Sequence, residues 1–507
     1  MPGVRHYLDL HHLRRLDEYA YSAVDKSPMS QYIMRYWWTW TASFAPPWLA
    51  PNAITVIGFC AILLNTATVA VVAGDLRGSE SGWVWASCAA GLFFYQTMDS
   101  TLQLPLAGFA AICRLVDDPG HIDIDGKQAR RTGTSSPMGE LFDHGLDTLN
   151  CPLGALIQAS ALALGPSPLA LLCILVPCWS IPVEGILLAV LILAWTAIKG
   201  SSWWLLSVSE ALGDIALLPS SWRMNQLAVA FFTIAFLTTH LPLCLRNVHS
   251  QLTAPPHRPL TRPCRHSSNL NPPSPAEAFQ QLLPIFGFSV LAVMWVLSPQ
   301  SVMLEGGGKL VEFALVVCFV FGQLSSKIIL AHLTKGLFPF SWPLLTALAI
   351  PATAVNTPYL GLPSLLPPAL ETLYLHFLLA LSLFSYALST HAVLSSFCGY
   401  LGISCLTIPY PNKAVEGWVP LPPVKLHQSP RPPLTGAYGA QEEETFPPAS
   451  AGRIGVKAPQ ALDRVRRWLD SAASSSFSSR GDGAGAPGGG LGQVARIVGS
   501  PRKGGRA

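Results

Sequence analysis

The chain has 507 residues, of which 50% are hydrophobic and only 12% charged, with a formal net charge of +4. Mean hydropathy is +0.39. That much apolar surface exceeds what an ordinary soluble domain buries and predicts an integral membrane protein. The small charge, carried by basic residues in loops and tail and not on one face, excludes nucleic acid as an expected partner.

Residues 1–30 carry Arg5, Asp9, Arg14, Arg15, Asp17, Glu18, Asp25 and Lys26 without an apolar core. They predict no cleavable signal peptide, so the first span serves as the targeting signal. Residues 1–52 read as a cytoplasmic amphipathic segment. A bilayer span needs about 20 mostly apolar residues. Runs of that kind are Ala53 to Ala73, Gly82 to Met98, Thr148 to Leu164, Leu227 to Leu245, Leu282 to Leu297, Phe313 to Leu333, Trp342 to Ala354 with flanks, and Leu373 to Leu394. A further stretch from Ser167 to Ile198 is broken by Pro177 and Pro182 and is too long for one straight helix.

Read as two spans, that stretch brings the total to about ten and leaves both termini on one side. The N-terminal segment, Lys127, Arg130 and Arg131, the loop with Arg246, Arg258, Arg262 and Arg265, Lys335 and the basic tail then share the cytoplasmic side, as the positive-inside rule requires. A single span there would place the Arg-rich loop and the tail in the lumen. The expected fold class is therefore all-α: a polytopic membrane helix bundle of about ten transmembrane helices with a disordered C-terminal tail. The helices divide into a set over 53–200 and a set over 201–400.

From about Pro411 the chain is rich in Pro, Gly, Ser and Ala, a composition that buries too little apolar surface to offset its ordering entropy. Residues 401–507 are expected to be a disordered basic tail. A short amphipathic helix over Ala461 to Leu469, with Arg464, Arg466, Arg467 and Trp468 touching anionic lipid, is the second reading. The loop from Ser250 to Pro275 carries no assigned chemistry. Of the 11 cysteines, Cys60, Cys88, Cys173, Cys178, Cys244 and Cys318 sit inside apolar runs. With no C-x-x-C pair or zinc spacing, they read as buried, reduced thiols.

The chemistry concentrates in Asp125-Gly126-Lys127-Gln128-Ala129-Arg130, followed by Gly139, Asp143 and Asp147. On a helix, Asp143 and Asp147 point from one face, one turn apart. Ionisable residues beside membrane spans are costly and mark functional sites by default. Neighbouring carboxylates repel, so a cation must hold them, and an oxygen-only set favours Mg2+ or Mn2+ over zinc. Gly126, Ala129 and Gly139 allow close approach, while Arg130 offers a planar fork for phosphate. Taken singly, each residue is better explained by small-residue helix packing with aspartates at a solvated interface; the complete spacing D-G-x2-A-R-x8-G-x3-D-x3-D favours the metal and phosphate reading. His144 beside Asp143 reads as a neutral structural histidine.

That spacing resembles the signature of the CDP-alcohol phosphatidyltransferase family. D-G-K-Q-A-R-R-T with L-F-D-H-G is similar to its eukaryotic choline/ethanolamine phosphotransferase branch. So are Tyr21 to Ser27, Ala50 to Thr55 and Phe93 to Asp99. The resemblance runs from about residue 10 to about 400, more weakly after 200. It implies an integral membrane enzyme that moves phosphocholine or phosphoethanolamine from CDP-choline or CDP-ethanolamine to diacylglycerol, releasing CMP. It also implies two ions, Mg2+ or Mn2+, held by Asp99, Asp125, Asp143 and Asp147. Gly126, Ala129, Arg130 and Gly139 would line the CDP site with Asn52 nearby, and Asp147 would take the acceptor proton. An endoplasmic reticulum or Golgi location, a site facing the cytosol, contact with membrane lipids and room for a homodimer go with it. Two alternatives stay open: a related transferase with inositol, serine or glycerol phosphate as acceptor, and a non-enzymatic chain such as a cation transporter or the product of a mis-spliced gene.

The chain departs from the family pattern twice. Asp99 stands 26 residues before Asp125 (125 minus 99), where the family spacing is three. Ile122 occupies the expected position, and Asp123, two residues away, does not share a face with Asp125. The intervening segment, about 100–123, contains Pro105 and Pro119-Gly120, keeps the reading frame, and reads as an unspliced intron. The other reading is a loop that folds out and returns Asp99 to the site. Second, Trp179 and Ser180 lead almost directly to Pro182-Val183-Glu184-Gly185, where the family carries a W-E-E-Y-H run. Ser167 to Ser180 spans about 21 Å as helix, short of a core of about 30 Å, so a span and its loop look truncated.

Overall fold

The computed structural model describes residues 10–18, 29–98, 124–178, 183–213, 215, 218–243, 245–246, 280–334, 339 and 342–408. The expectations for Asp99, the segment 100–123, Trp179 and Ser180, Cys244, the loop Ser250 to Pro275, and the tail with Ala461 to Leu469 fall outside these residues.

Among the described residues the chain is helical, with a lone bridge between Ser207 and Arg223 as its only β pairing. Two short helices come first, α1 (Leu10–Arg14) and α2 (Arg35–Ala42). The first set then contains α3 (Pro51–Ala73), α4 (Gly82–Met98), α5 (Ile124–Thr132), α6 (Pro137–Ala161), α7 (Pro168–Leu175) and α8 (Val183–Lys199). The second set contains α9 (Val208–Leu212), α10 (Met224–Ala235), α11 (Leu283–Val296), α12 (Lys309–Leu333), α13 (Trp342–Ala354) and α14 (Pro368–Leu401). Helix starts follow local chemistry: α3, α6, α7 and α14 each begin with proline in the first turn, where the missing N–H costs no helical bond.

Contacts at the helix ends give the direction of each passage. At one end, Ser160 Oγ donates to Ala73 O at 3.3 Å, Gly165 N to Leu76 O at 2.8 Å, Ser201 Oγ to Ser79 O at 3.0 Å and Asn225 Nδ2 to Leu162 O at 3.3 Å. Helices α3, α6 and α8 therefore finish where α4, α7 and α10 begin. In the second set, Asn356 Nδ2 donates to Met294 O at 2.8 Å and Ser298 Oγ to Val355 O at 3.3 Å, so α11 and α13 finish together. The stretch Ser167 to Ile198 is thus two antiparallel helices. The first of them, prolonged by a 3-10 turn to Cys178, is as short as its sequence requires.

Among the described residues, four helices are long and apolar enough to cross a bilayer: Pro51–Ala73, Met224–Leu243, Lys309–Leu333 and Pro368–Leu401; shorter apolar helices stand beside them. Leu64, Val71, Ile198 and Phe384 point outward, as expected where the outer solvent is lipid. Cys60 also lies exposed on α3. The expectation of uniformly buried thiols fails there, because an outward position on a lipid-facing helix is apolar without being covered by protein. Cys88, Cys178 and Cys318 are buried and free, and Cys173 is half-buried.

Helix α6 is the axis of the bundle, packed against α3, α7 and α12 and buried over most of its length. Gly322 of α12 makes one of these crossings possible, since a Cβ there would lie 2.8 Å from Leu149 Cδ2. At the end of the second set, the fully buried Glu371 accepts from Trp295 Nε1 at 2.8 Å, Ser301 Oγ at 2.6 Å and Val302 N at 3.1 Å. Glu371→Ala strands three buried donors and is expected to cost about 2–4 kcal/mol. A lowered unfolding midpoint in detergent, with Glu371→Gln falling between it and the wild type, is the check.

Candidate active site

The acidic residues are set by how α6 begins. Ser136, extended and just outside the helix, accepts from Gly139 N at 3.2 Å through its Oγ, and Pro137 follows. These two residues start the helix well before Thr148, where the apolar run begins. An apolar-window criterion misses that start because caps, not hydrophobicity, determine it. Asp143 and Asp147 therefore lie on the membrane helix itself, one turn apart on one face, with relative exposures of 7% and 0%.

Asp125 sits in the first turn of α5 and is also 7% exposed. Its Oδ2 accepts from Thr55 Oγ1 of α3 at 3.0 Å and its Oδ1 from Gly126 N at 2.6 Å. Asp147 Oδ1 accepts from Tyr95 OH of α4 at 2.7 Å. Both carboxylates thus accept from neutral donors, Thr55 and Tyr95 on neighbouring helices and the Gly126 backbone within α5. Gln128 anchors α5 by donating from Nε2 to Pro46 O at 2.8 Å and to Leu49 O at 3.0 Å.

Asn52 and Gly139 come together: a Cβ at Gly139 would lie 3.7 Å from Asn52 Oδ1. Asn52 Nδ2 donates to Cys405 O at 3.0 Å, so the turn after the last helix reaches this site. Burial pushes the Cys405 thiol up to about 11, which keeps it protonated at neutral pH. Gly126 and Ala129 are half-buried in α5, and Arg130 lies in the second turn of that helix. His144 is half-buried with no hydrogen bond at Nδ1.

The carboxylate set fits a hard divalent cation in kind, since it offers oxygen donors only. Among the described residues, however, no three His, Cys, Asp or Glu side chains are gathered into a metal-holding group, and Asp99 lies outside those residues. The structure brings Asp143 and Asp147 onto one face, pairs Asn52 with Gly139, and holds Asp125 on α5, which packs against α2, α3 and α4.

Two contributors escaped sequence reasoning. Thr55 and Tyr95 lie within Ala50 to Thr55 and Phe93 to Asp99, and a hydroxyl inside an apolar run was the available signal. The third omission is larger. Asp143, Asp147, Asn150, Gly154 and Gln158 follow one another at intervals of four, three, four and four, so one stripe of α6 continues from the acids into the bundle. Beyond the acids that stripe lines a cavity of about 320 Å³ enclosed by α6, α7, α8 and α10. Its wall is mostly apolar; the hydroxyls of Thr233 and Thr239 are bonded to backbone carbonyls of their own helix, whereas Asn150 Oδ1, Gln158 Oε1 and Gln158 Nε2 are buried without a partner.

No family model matches the chain. A CDP-alcohol phosphatidyltransferase class-I family protein of Dictyostelium discoideum is 28% identical over 433 residues, covering 78% of this chain and 97% of its own length. Choline/ethanolaminephosphotransferase 1 of Saccharomyces cerevisiae is 29% identical over 363 residues, 66% of this chain and 82% of its own. Cholinephosphotransferase 1 of Mus musculus is 37% identical over 156 residues, 31% of this chain and 33% of its own. With an acidic helical motif in an all-α membrane bundle, these similarities support the CDP-alcohol phosphatidyltransferase class-I family, and its choline/ethanolaminephosphotransferase branch, as the relatives of this chain and indicate a phosphotransferase enzyme.

Proposed function

We propose that this chain transfers phosphocholine and/or phosphoethanolamine from CDP-choline or CDP-ethanolamine to diacylglycerol, releasing CMP, at the cytosolic face of the endoplasmic reticulum or Golgi. The observation that carries the acceptor is the single face of α6 joining Asp143 and Asp147 to an apolar cavity. An acceptor with a polar reacting end and a long apolar body matches that face. Inositol, serine and glycerol phosphate carry no apolar body to fill it. A cation transporter is disfavoured because, among the described residues, the buried carboxylates are Asp125, Asp143, Asp147 and Glu371, and Glu371 is spent on three structural hydrogen bonds.

Asp99, Asp125, Asp143 and Asp147 would hold two Mg2+ or Mn2+ ions, which when bound neutralise charge on the diphosphate and on departing CMP. The remaining steps belong to the side chains. Asp147 takes the proton of the acceptor hydroxyl, with Tyr95 fixing the carboxylate rotamer from 2.7 Å. Gly126, Ala129 and Gly139 leave space for the nucleotide, Arg130 pairs with a phosphate as a planar fork, and Asn52 stands at the edge beside Gly139.

The test supplies purified protein with Mg2+, diacylglycerol and labelled CDP-choline or CDP-ethanolamine. Labelled phospholipid formed in step with CMP is expected; transfer to inositol, serine or glycerol phosphate in place of diacylglycerol overturns the reading. In the same assay Tyr95→Phe should lower kcat/KM by about 10- to 100-fold, the worth of one hydrogen bond to a charged group, with the protein still folded and its unfolding midpoint only modestly lowered by the lost buried bond. A wild-type rate in that variant would remove Tyr95 from the site.

A further inference from the structure

The cavity beyond Asp147 is not uniformly apolar, and its polar atoms lie where a generic lipid pocket needs none. Gln158 is 6% exposed, and neither end of its amide has a hydrogen-bond partner. A buried amide left so is costly, and an apolar residue of similar size would fill the position without that cost. Gly154, between Asn150 and Gln158 on the stripe, leaves a notch: a Cβ added there meets only Asn150 Oδ1, at 3.9 Å. The opposite wall contains Leu172 and Cys173 of α7 and Val229 and Phe232 of α10, so among the described residues no other charged or amide side chain besides Asn150 lines the space with Gln158.

Depth decides what the amide can meet. The Gln158 Cα lies eleven residues past Asp147, about 16 Å along the helix axis. Its side chain leans back toward the helix N-terminus. The acyl region of one leaflet is about 15 Å deep. An acceptor reacting beside Asp147 therefore presents its ester groups near Asn150, and the middle to lower part of an acyl chain near Gln158. Saturated hydrocarbon offers nothing to hydrogen-bond at that depth. A hydroxyl accepts from Nε2 and donates to Oε1, and the π face of a double bond accepts a weak bond from the amide N–H.

We propose that Gln158 is a specificity-determining residue that favours acceptor lipids carrying a hydroxyl or a cis double bond in the middle of an acyl chain. This rests on the lipid-acceptor reading above. The experiment is a competition among three diacylglycerols of equal chain length in mixed micelles: saturated, mid-chain unsaturated and mid-chain hydroxylated. Product is resolved by mass. The wild type should favour the hydroxylated acceptor over the saturated one by about fivefold, the size of one net hydrogen bond, with the unsaturated acceptor between them. In Gln158→Leu the three should be used equally, and its unfolding midpoint without lipid should equal or exceed the wild-type value, because two unsatisfied polar atoms are gone. Gln158→Met, nearer in shape, is read the same way if the leucine variant does not fold.

Equal use of the three acceptors by the wild type, as when waters alone occupy the amide, overturns the proposal. So does a preference that survives both substitutions. Absence of transfer to any diacylglycerol sinks the lipid-acceptor reading instead, so the two failures are told apart.

Discussion

Asp143→Asn is expected to lower CMP release from CDP-choline and CDP-ethanolamine by about 10³-fold, as loss of several kcal/mol of transition-state charge stabilisation requires. The change keeps the shape of the side chain and removes its charge. Asp143 is 7% exposed on the best-packed helix of the bundle, so an isosteric amide leaves that packing in place, and the unfolding midpoint should stay within a few degrees of the wild type. Asp147→Asn should match it in rate, since the two acids are stacked one turn apart and are proposed to share the same ions. Full activity in Asp143→Asn would break the two-metal proposal while leaving the similarity to the family untouched. Dependence of the wild type on added Mg2+ or Mn2+, lost on chelation, is the accompanying readout.

Removing residues 100–122 is expected to raise transfer by about 10²-fold, the scale of the penalty for reacting groups displaced by about an ångström. The deletion brings Asp99 to three residues before Asp125, where i and i+3 positions share a helix face, and it keeps the reading frame. We propose that the segment is a retained intron. A transcript carrying codons for Thr101 to Ile122 at full abundance, or a deletion variant no more active than the complete chain, would show that the segment is a genuine part of the protein. In that case Asp99 reaches the site by a loop. The same measurement in an Asp99→Asn background separates the explanations: the gain from deletion should vanish there if Asp99 is the missing ligand.

Much of the architecture was legible before any coordinates. Composition announced a membrane protein, and apolar runs located nearly every long helix. The paired prolines Pro177 and Pro182 split one stretch into two, and α7 and α8 lie there as separate antiparallel helices. Helix starts were less legible. Thr148 opens the apolar run, yet α6 begins at Pro137, because Ser136 and Pro137 act through backbone geometry that hydropathy ignores. Cys60 misled because an apolar run does not say which residues face protein and which face lipid.

The sequence by itself determined the class of the chain, its acidic spacing and its family resemblance, since each depends on residue type and on intervals short enough for one helix to enforce. Only the tertiary structure decided what the acids touch. Tyr95 reaches Asp147 across 52 positions, Thr55 reaches Asp125 across 70, and Asn52 meets Cys405 across 353. The cavity that continues the acid stripe likewise exists only where α6, α7, α8 and α10 converge. Helical periodicity sets which side chains share a face; which faces meet is decided by the packing of all the helices at once, and no local pattern carries that information.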